Sequence, residues 1–191
     1  MITINCKNPP KEFKEISKKL PTLCHGDIVL NDVDDIEDYL DSSYPNSKLA
    51  IRDADAFKIQ SNVFTKFTYL IKDVTNNPQG LIVELEKINK FLQRRGTKYI
   101  CGNEITGLDC SLWPKLQHIR VALEHLLKLQ IPTEFTALWA YLASAYELDA
   151  FVKSCPSDQE ILLHWIRGEQ SNKAYLQLTT EEPKYSFDVP E

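Results

Sequence analysis

Gly102-Asn-Glu-Ile-Thr106-Gly-Leu-Asp109-Cys-Ser-Leu-Trp-Pro114-Lys-Leu116 is the stretch that decides the fold. Thr106 followed three residues later by Asp109 has the spacing of a reciprocal helix cap. The threonine hydroxyl can accept the N3 amide, and the Asp109 carboxylate can reach back to the cap amide. Helical periodicity continues from there, and a helix is predicted over 106–128. Pro114 falls inside it, removes one internal hydrogen bond and predicts a bend. With both polar side chains spent on the chain's own amides, the stretch reads as a folding element and not as a catalytic site.

Working outward, every long segment after residue 47 has helical periodicity. Ile59, Val63, Phe67, Leu70, Ile71 and Val74 mark one helix, ended by Asn76-Asn77-Pro78. Leu81, Leu85, Ile88 and Leu92 mark a second, ended near Gly96. Ile131-Pro132 breaks the chain. An aromatic-rich helix is predicted from Glu134 to Tyr146, a short piece from Leu148 to Lys153, and a last helix from Pro156 carrying Ile161, Leu162 and Trp165. Residues 179–191, with two prolines and mixed charge, read as an extended tail.

The first forty-odd residues have another texture. Ile2, Ile4 and Cys6 alternate with Thr3 and Asn5, predicting a strand at 2–6 that Pro9-Pro10 stops. A short helix is predicted over 11–19, with Phe13 and Ile16 on one face. Leu20 to Cys24 and Ile28 to Leu30 read as a hairpin around His25-Gly26-Asp27, followed by a helix over 32–40. The acidic residues Asp34, Asp35, Glu37 and Asp38 sit in its early part, where the helix dipole favours negative charge, so they read as a solvated face. Residues 42–47 form a polar linker. The expected plan is a small α/β unit over 1–45, an all-helical domain over 46–178 and a tail over 179–191.

Composition bounds the function. The 191 residues carry 22 Lys+Arg against 27 Asp+Glu, a net charge of −5. That balance argues against a nucleic-acid partner, which needs a basic footprint. The five cysteines (Cys6, Cys24, Cys101, Cys110 and Cys155) are odd in number and form no C-x-x-C, which reads as reduced thiols in a cytoplasmic protein. No signal peptide opens the chain. The longest uncharged helical stretch, Phe135 to Tyr146, falls short of the roughly 20 apolar residues that a spanning helix needs.

Few residues carry chemistry. His118 and His125 share one predicted helix face, with no cysteine or carboxylate at zinc-like spacing to complete a metal set. Cys24 and His25 are adjacent on a strand, point to opposite faces and cannot act as a nucleophile–base pair. Phe135, Trp139, Tyr141, Tyr146 and Phe151 read as core packing ahead of a pocket. Leu20-Pro21 is an X-Pro bond for which the residues alone leave cis and trans open.

The 102–116 pattern resembles the N-capping-box helix of the glutathione S-transferase fold. With Asp109-Cys110, Pro114 to Arg120, Ile131-Pro132, Ala137-Leu-Trp139 and Ser154 to Ile161, it resembles the chloride intracellular channel family, particularly its invertebrate members. Residues 1–40 resemble that family's second strand, its third and fourth strands and the helix after them. The resemblance covers essentially the whole chain. It implies an incomplete thioredoxin-like unit followed by a glutathione S-transferase-type helical domain.

It also implies function. Leu20-Pro21 matches the strand-start proline whose preceding backbone pairs with the peptide ligand glutathione. Asp32-Val33 matches the acidic–hydroxyl pair that caps the helix and binds the ligand carboxylate. Val33 has no hydroxyl, so these four cofactor-binding positions are degraded and glutathione binding is expected to be weakened. The family's first strand and the helix bearing its reactive cysteine would precede residue 1. No cysteine in the α/β part stands at a helix N-terminus in their place. Without that strand the sheet keeps an open edge, which invites self-association. The implied role is a cytoplasmic protein with a membrane-associated form and anion-channel activity. The alternatives are a non-enzymatic interaction module, and a glutathione-dependent oxidoreductase if the cysteine helix is missing from this sequence.

Overall fold

The computed structural model describes residues 9–45, 49, 53–166 and 180–190. The strand expected at 2–6 and part of the 42–47 linker lie outside these residues. The chain divides into two compact units, Met1–Leu49 and Ala50–Glu191.

In the first unit, α1 (Lys11–Ile16) is shorter than the expected 11–19. Ser17 leaves the helix in an extended conformation, and its hydroxyl both accepts from the Lys19 amide and donates to the Lys19 carbonyl, each at 3.1 Å. Local side-chain bonds of this kind compete with the helical ladder. The strands β1 (Leu23–His25) and β2 (Ile28–Leu30) pair antiparallel, with Leu23 opposite Leu30, Cys24 opposite Val29 and His25 opposite Ile28. Gly26 takes φ +59° at the first position of the two-residue turn, where a tight hairpin demands a residue tolerant of the left-handed region. Pro21 has no amide to give to a ladder, so pairing starts at Leu23 and not at Leu20. The helix α2 (Val33–Ser43) follows, with Asp32 capping the Asp34 amide at 3.0 Å.

The second unit is helical. The single helix expected across Ile59–Val74 is two, α3 (Ala54–Gln60) and α4 (Val63–Ile71). The break has a local cause: the Ser61 hydroxyl donates to the Lys58 carbonyl at 2.9 Å, the acceptor that a continuing helix would use. The central helix α5 (Gln79–Arg95) ends at Gly96, which adopts φ +63° and returns its amide to the Leu92 carbonyl at 3.0 Å. Next comes α6 (Gly107–Ala122), which passes into a π-helical turn over Leu123–Leu127. Lys128, in the left-handed region at φ +55°, ends the turn. The helices α7 (Thr136–Tyr146), α8 (Asp149–Ser154) and α9 (Asp158–Trp165) follow. The helix α5 packs against α3, α4 and α7, while α6 packs against α4 and α9. Phe67, Leu85, Ile88, Leu112, Leu116, Ile119, Leu138 and Leu142 are fully buried between them.

Asp109 joins these pieces. Its carboxylate is fully buried and accepts four hydrogen bonds. One oxygen takes the Thr106 amide and the Thr106 hydroxyl, both at 2.8 Å. The other takes the Ile100 amide at 2.9 Å and the Tyr141 hydroxyl at 2.8 Å. The cap of α6 thereby also fixes the preceding loop and α7. Burial, and then the Asp109 charge, hold the Tyr141 phenol well above its ordinary pKa.

The tail is docked on the helical unit. Residues 182–190 have no helix or strand, yet Glu182, Lys184, Ser186 and Asp188 all bond to α6 or α9.

Asp109→Ala leaves four donors without their acceptor. It is expected to cost about 3–4 kcal/mol, read as a lowered urea midpoint at unchanged slope. A loss below about 1 kcal/mol would show that water replaces the carboxylate.

Candidate functional site

The hairpin register places the four glutathione-like positions. Pro21 and Asp32 each lie two residues beyond the Leu23–Leu30 pair, and Leu20 and Val33 each lie three beyond it. All four therefore stand at the open end of the hairpin, opposite the Gly26 turn. The Leu20–Pro21 bond is cis, and Asp32 is committed to the cap of α2. Val33 is 49% and Leu20 45% exposed, and the strand residues Ile28 and Val29 are 41% and 43% exposed. At the turn end, His25 Nδ1 and the Tyr39 hydroxyl share a hydrogen bond of 2.7 Å.

Two of the described thiols, Cys101 and Cys155, are shifted away from nucleophilic chemistry. Cys24 lies in β1 and Cys110 is the fourth residue of α6. Burial pushes the Cys101 thiol up, and its sulfur lies 3.5 Å from the Thr106 hydroxyl oxygen. Burial, reinforced by the Asp158 and Glu160 carboxylates, pushes Cys155 up to about 11. Activation of a thiol requires the opposite shift.

The histidines pair differently from the sequence reading. His125 falls in the π-helical turn, and His118 faces α9 instead. Its Nδ1 accepts the Trp165 indole N–H at 3.0 Å, and its ring lies 5.9 Å from that of His164. Burial, then the neighbouring His164, lowers His118 to about 4. No cluster of three metal-ligating side chains exists among the described residues.

One constellation escaped the sequence reading. Gln117 and Arg120 on α6 and Asp158 and Gln159 on α9 are all buried, and all hold the tail. Arg120 donates from Nη1 to the Tyr146 hydroxyl at 2.9 Å and to the Ser186 carbonyl at 2.6 Å, and from Nη2 to Asp188 at 3.0 Å. Its guanidinium lies 5.5 Å from the Trp139 ring centre and 5.6 Å from that of Tyr146. Burial drives the Tyr146 phenol up to about 12 against the lowering effect of Arg120. The available signal was polar Gln117 and Arg120 interleaved with Leu116, Ile119 and Val121 on a core-facing helix. Of the aromatic set, Phe135, Trp139 and Tyr141 are buried as core packing, whereas Tyr146 and Phe151 are half-buried and Tyr146 joins this constellation.

The helical unit with its capped α6, preceded in the chain by a small α/β unit, defines a protein of glutathione S-transferase-like fold. The family model for the glutathione S-transferase C-terminal domain matches residues 79–144. The chain is 32% identical over 193 residues to the chloride intracellular channel Clic of Drosophila melanogaster, covering 98% of this chain and 74% of that protein. Among solved structures, the chloride intracellular channel homologue EXC-4 of C. elegans superposes with a TM-score of 0.74 at 27% identity, over 86% of this chain and 65% of that one. The dehydroascorbate reductase of Chlamydomonas reinhardtii superposes at 0.73 and 27% identity, over 86% of this chain and 80% of its own. On this evidence of sequence and fold, the chain belongs to the chloride intracellular channel family.

His118 provides a pH test of the helical packing. Its folded pKa lies below the unfolded value, so only the unfolded chain takes up a proton between about 6.5 and about 4. Stability is therefore expected to fall as pH drops through that window. His118→Gln keeps an acceptor for Trp165 and removes the titration. Wild type should lose of order 1–2 kcal/mol more than this variant between pH 7 and pH 4, allowing for the exposed edge of the ring. Parallel curves for the two proteins would show that His118 does not titrate in this way.

Proposed function

We propose that this chain conducts chloride at a membrane after leaving a cytoplasmic form. The observation that carries the reading is the relatedness of 98% of the chain to a protein named for chloride channel activity. Among the described residues, no helix is long and apolar enough to cross a membrane. Conduction on this reading thus requires a rearranged or assembled form. Leu20, Ile28, Val29 and Val33 are exposed, so the α/β unit presents apolar side chains on both faces of the hairpin for lipid contact or for self-association. The test is chloride efflux from phosphatidylcholine–phosphatidylserine liposomes, across pH and under both reducing and oxidising conditions. Efflux that rises with the amount of protein is expected, and none at any pH or redox state overturns the reading.

Likeness to a dehydroascorbate reductase supports a second reading, glutathione-dependent redox chemistry using the Leu20, Pro21, Asp32 and Val33 positions. The chemistry of Cys101 and Cys155 opposes it, since burial raises both. Val33 also lacks the hydroxyl for one ligand contact. The 191-residue chain is therefore expected to reduce neither dehydroascorbate nor a model disulfide above the uncatalysed rate with glutathione. Turnover that Cys24→Ser abolishes would reverse this assignment. Failure of both activities leaves a non-enzymatic interaction module as the reading.

A further inference from the structure

The tail is held chiefly through its main chain. The Gln159 side-chain amide donates to the Glu182 carbonyl at 2.7 Å and accepts the Lys184 amide at 2.9 Å. The Asp158 amide donates to the Lys184 carbonyl at 2.9 Å. Gln117 and Arg120 donate to the Ser186 carbonyl at 3.2 and 2.6 Å, and the Ser186 amide reaches Asp158 at 3.3 Å. The contacted residues are 182, 184 and 186, the period of two that marks an extended ligand. Side chains discriminate at three places. The Ser186 hydroxyl donates to Asp158 at 2.6 Å, the Phe187 ring lies 5.0 Å from that of Tyr146, and Asp188 pairs with Arg120 at 3.0 Å.

Two physical features make this strap exchangeable. It is held by separate hydrogen bonds and not by a packed apolar face, and Phe187 is its one half-buried aromatic anchor among the described residues. The receiving side chains, by contrast, are bonded to one another as well as to the tail, with Tyr146 bonding both Gln117 and Arg120. An empty groove would leave the Arg120 charge and the Gln159 amide short of partners. The groove therefore favours an occupant, and nothing in the main-chain contacts restricts that occupant to this chain's own tail.

We infer that the groove of Gln117, Arg120, Tyr146, Asp158 and Gln159 is a peptide-recognition site whose resting occupant is the tail. Its partner is a protein that presents an extended segment with serine, an aromatic residue and aspartate in succession. The tethered tail holds the groove at high effective concentration, so a partner sees only the fraction of molecules with the tail released. A change that weakens the tail opens the site. This inference stands independently of chloride conduction.

The test uses the full chain and a fluorescein-labelled peptide of residues 180–190, followed by anisotropy. Two tail variants release the groove without touching its walls. Ser186→Glu sets a carboxylate against Asp158, and Asp188→Lys sets a cation against Arg120. The peptide is expected to bind at least one variant about tenfold or more tightly than wild type. A peptide carrying Ser186→Glu is expected to lose that binding. Equal binding to all three chains, no binding to any, or undiminished binding of the altered peptide overturns the inference.

Discussion

The Asp109 carboxylate is the interaction on which the helical unit depends. Burying a charge is costly unless its oxygens are filled, and here two oxygens take four donors. Three of those donors belong to different parts of the chain: the cap residue Thr106, the loop residue Ile100 and Tyr141 on α7. A cap that elsewhere would only start a helix thus also sets where the neighbouring loop and helix lie. Asn89 does similar work from α5, accepting the Leu138 amide near the start of α7 at 3.0 Å. Buried polar groups therefore fix the geometry of α7 at two points, and the apolar core fills the space around them.

What was legible in the sequence was what is local in the structure. The Thr106–Asp109 spacing, the Gly96 stop and the Gly26 turn are decided within a few residues of themselves, so the residues announce them. The Ile100 and Tyr141 contacts of Asp109 are not local, and nothing in the 102–116 pattern points to them. The break at Ser61 was missed for a smaller reason. Apolar periodicity runs through it unaltered, and one hydroxyl on the Lys58 carbonyl ends the helix.

The two candidate sites differ in the same way. Leu20, Pro21, Asp32 and Val33 stand at one end of the hairpin because its register carries both strands there, and a hairpin can be read from alternation and a glycine turn. The groove on α6 and α9 depends on contacts across 66 to 69 residues in the case of Arg120 and Gln117. A lone arginine and glutamine on a helix look like a solvated face until the partner segment is placed on them. Likewise, the extended character of the tail could be read from its prolines, whereas its attachment could not.

The order in which this chain is made bears on that attachment. Synthesis delivers α6 and α9 before residues 182–188, and domains generally fold as they emerge. The strap is therefore the last of these pieces to be made, and where copies are crowded the tail of one can meet the groove of another before each molecule closes on itself.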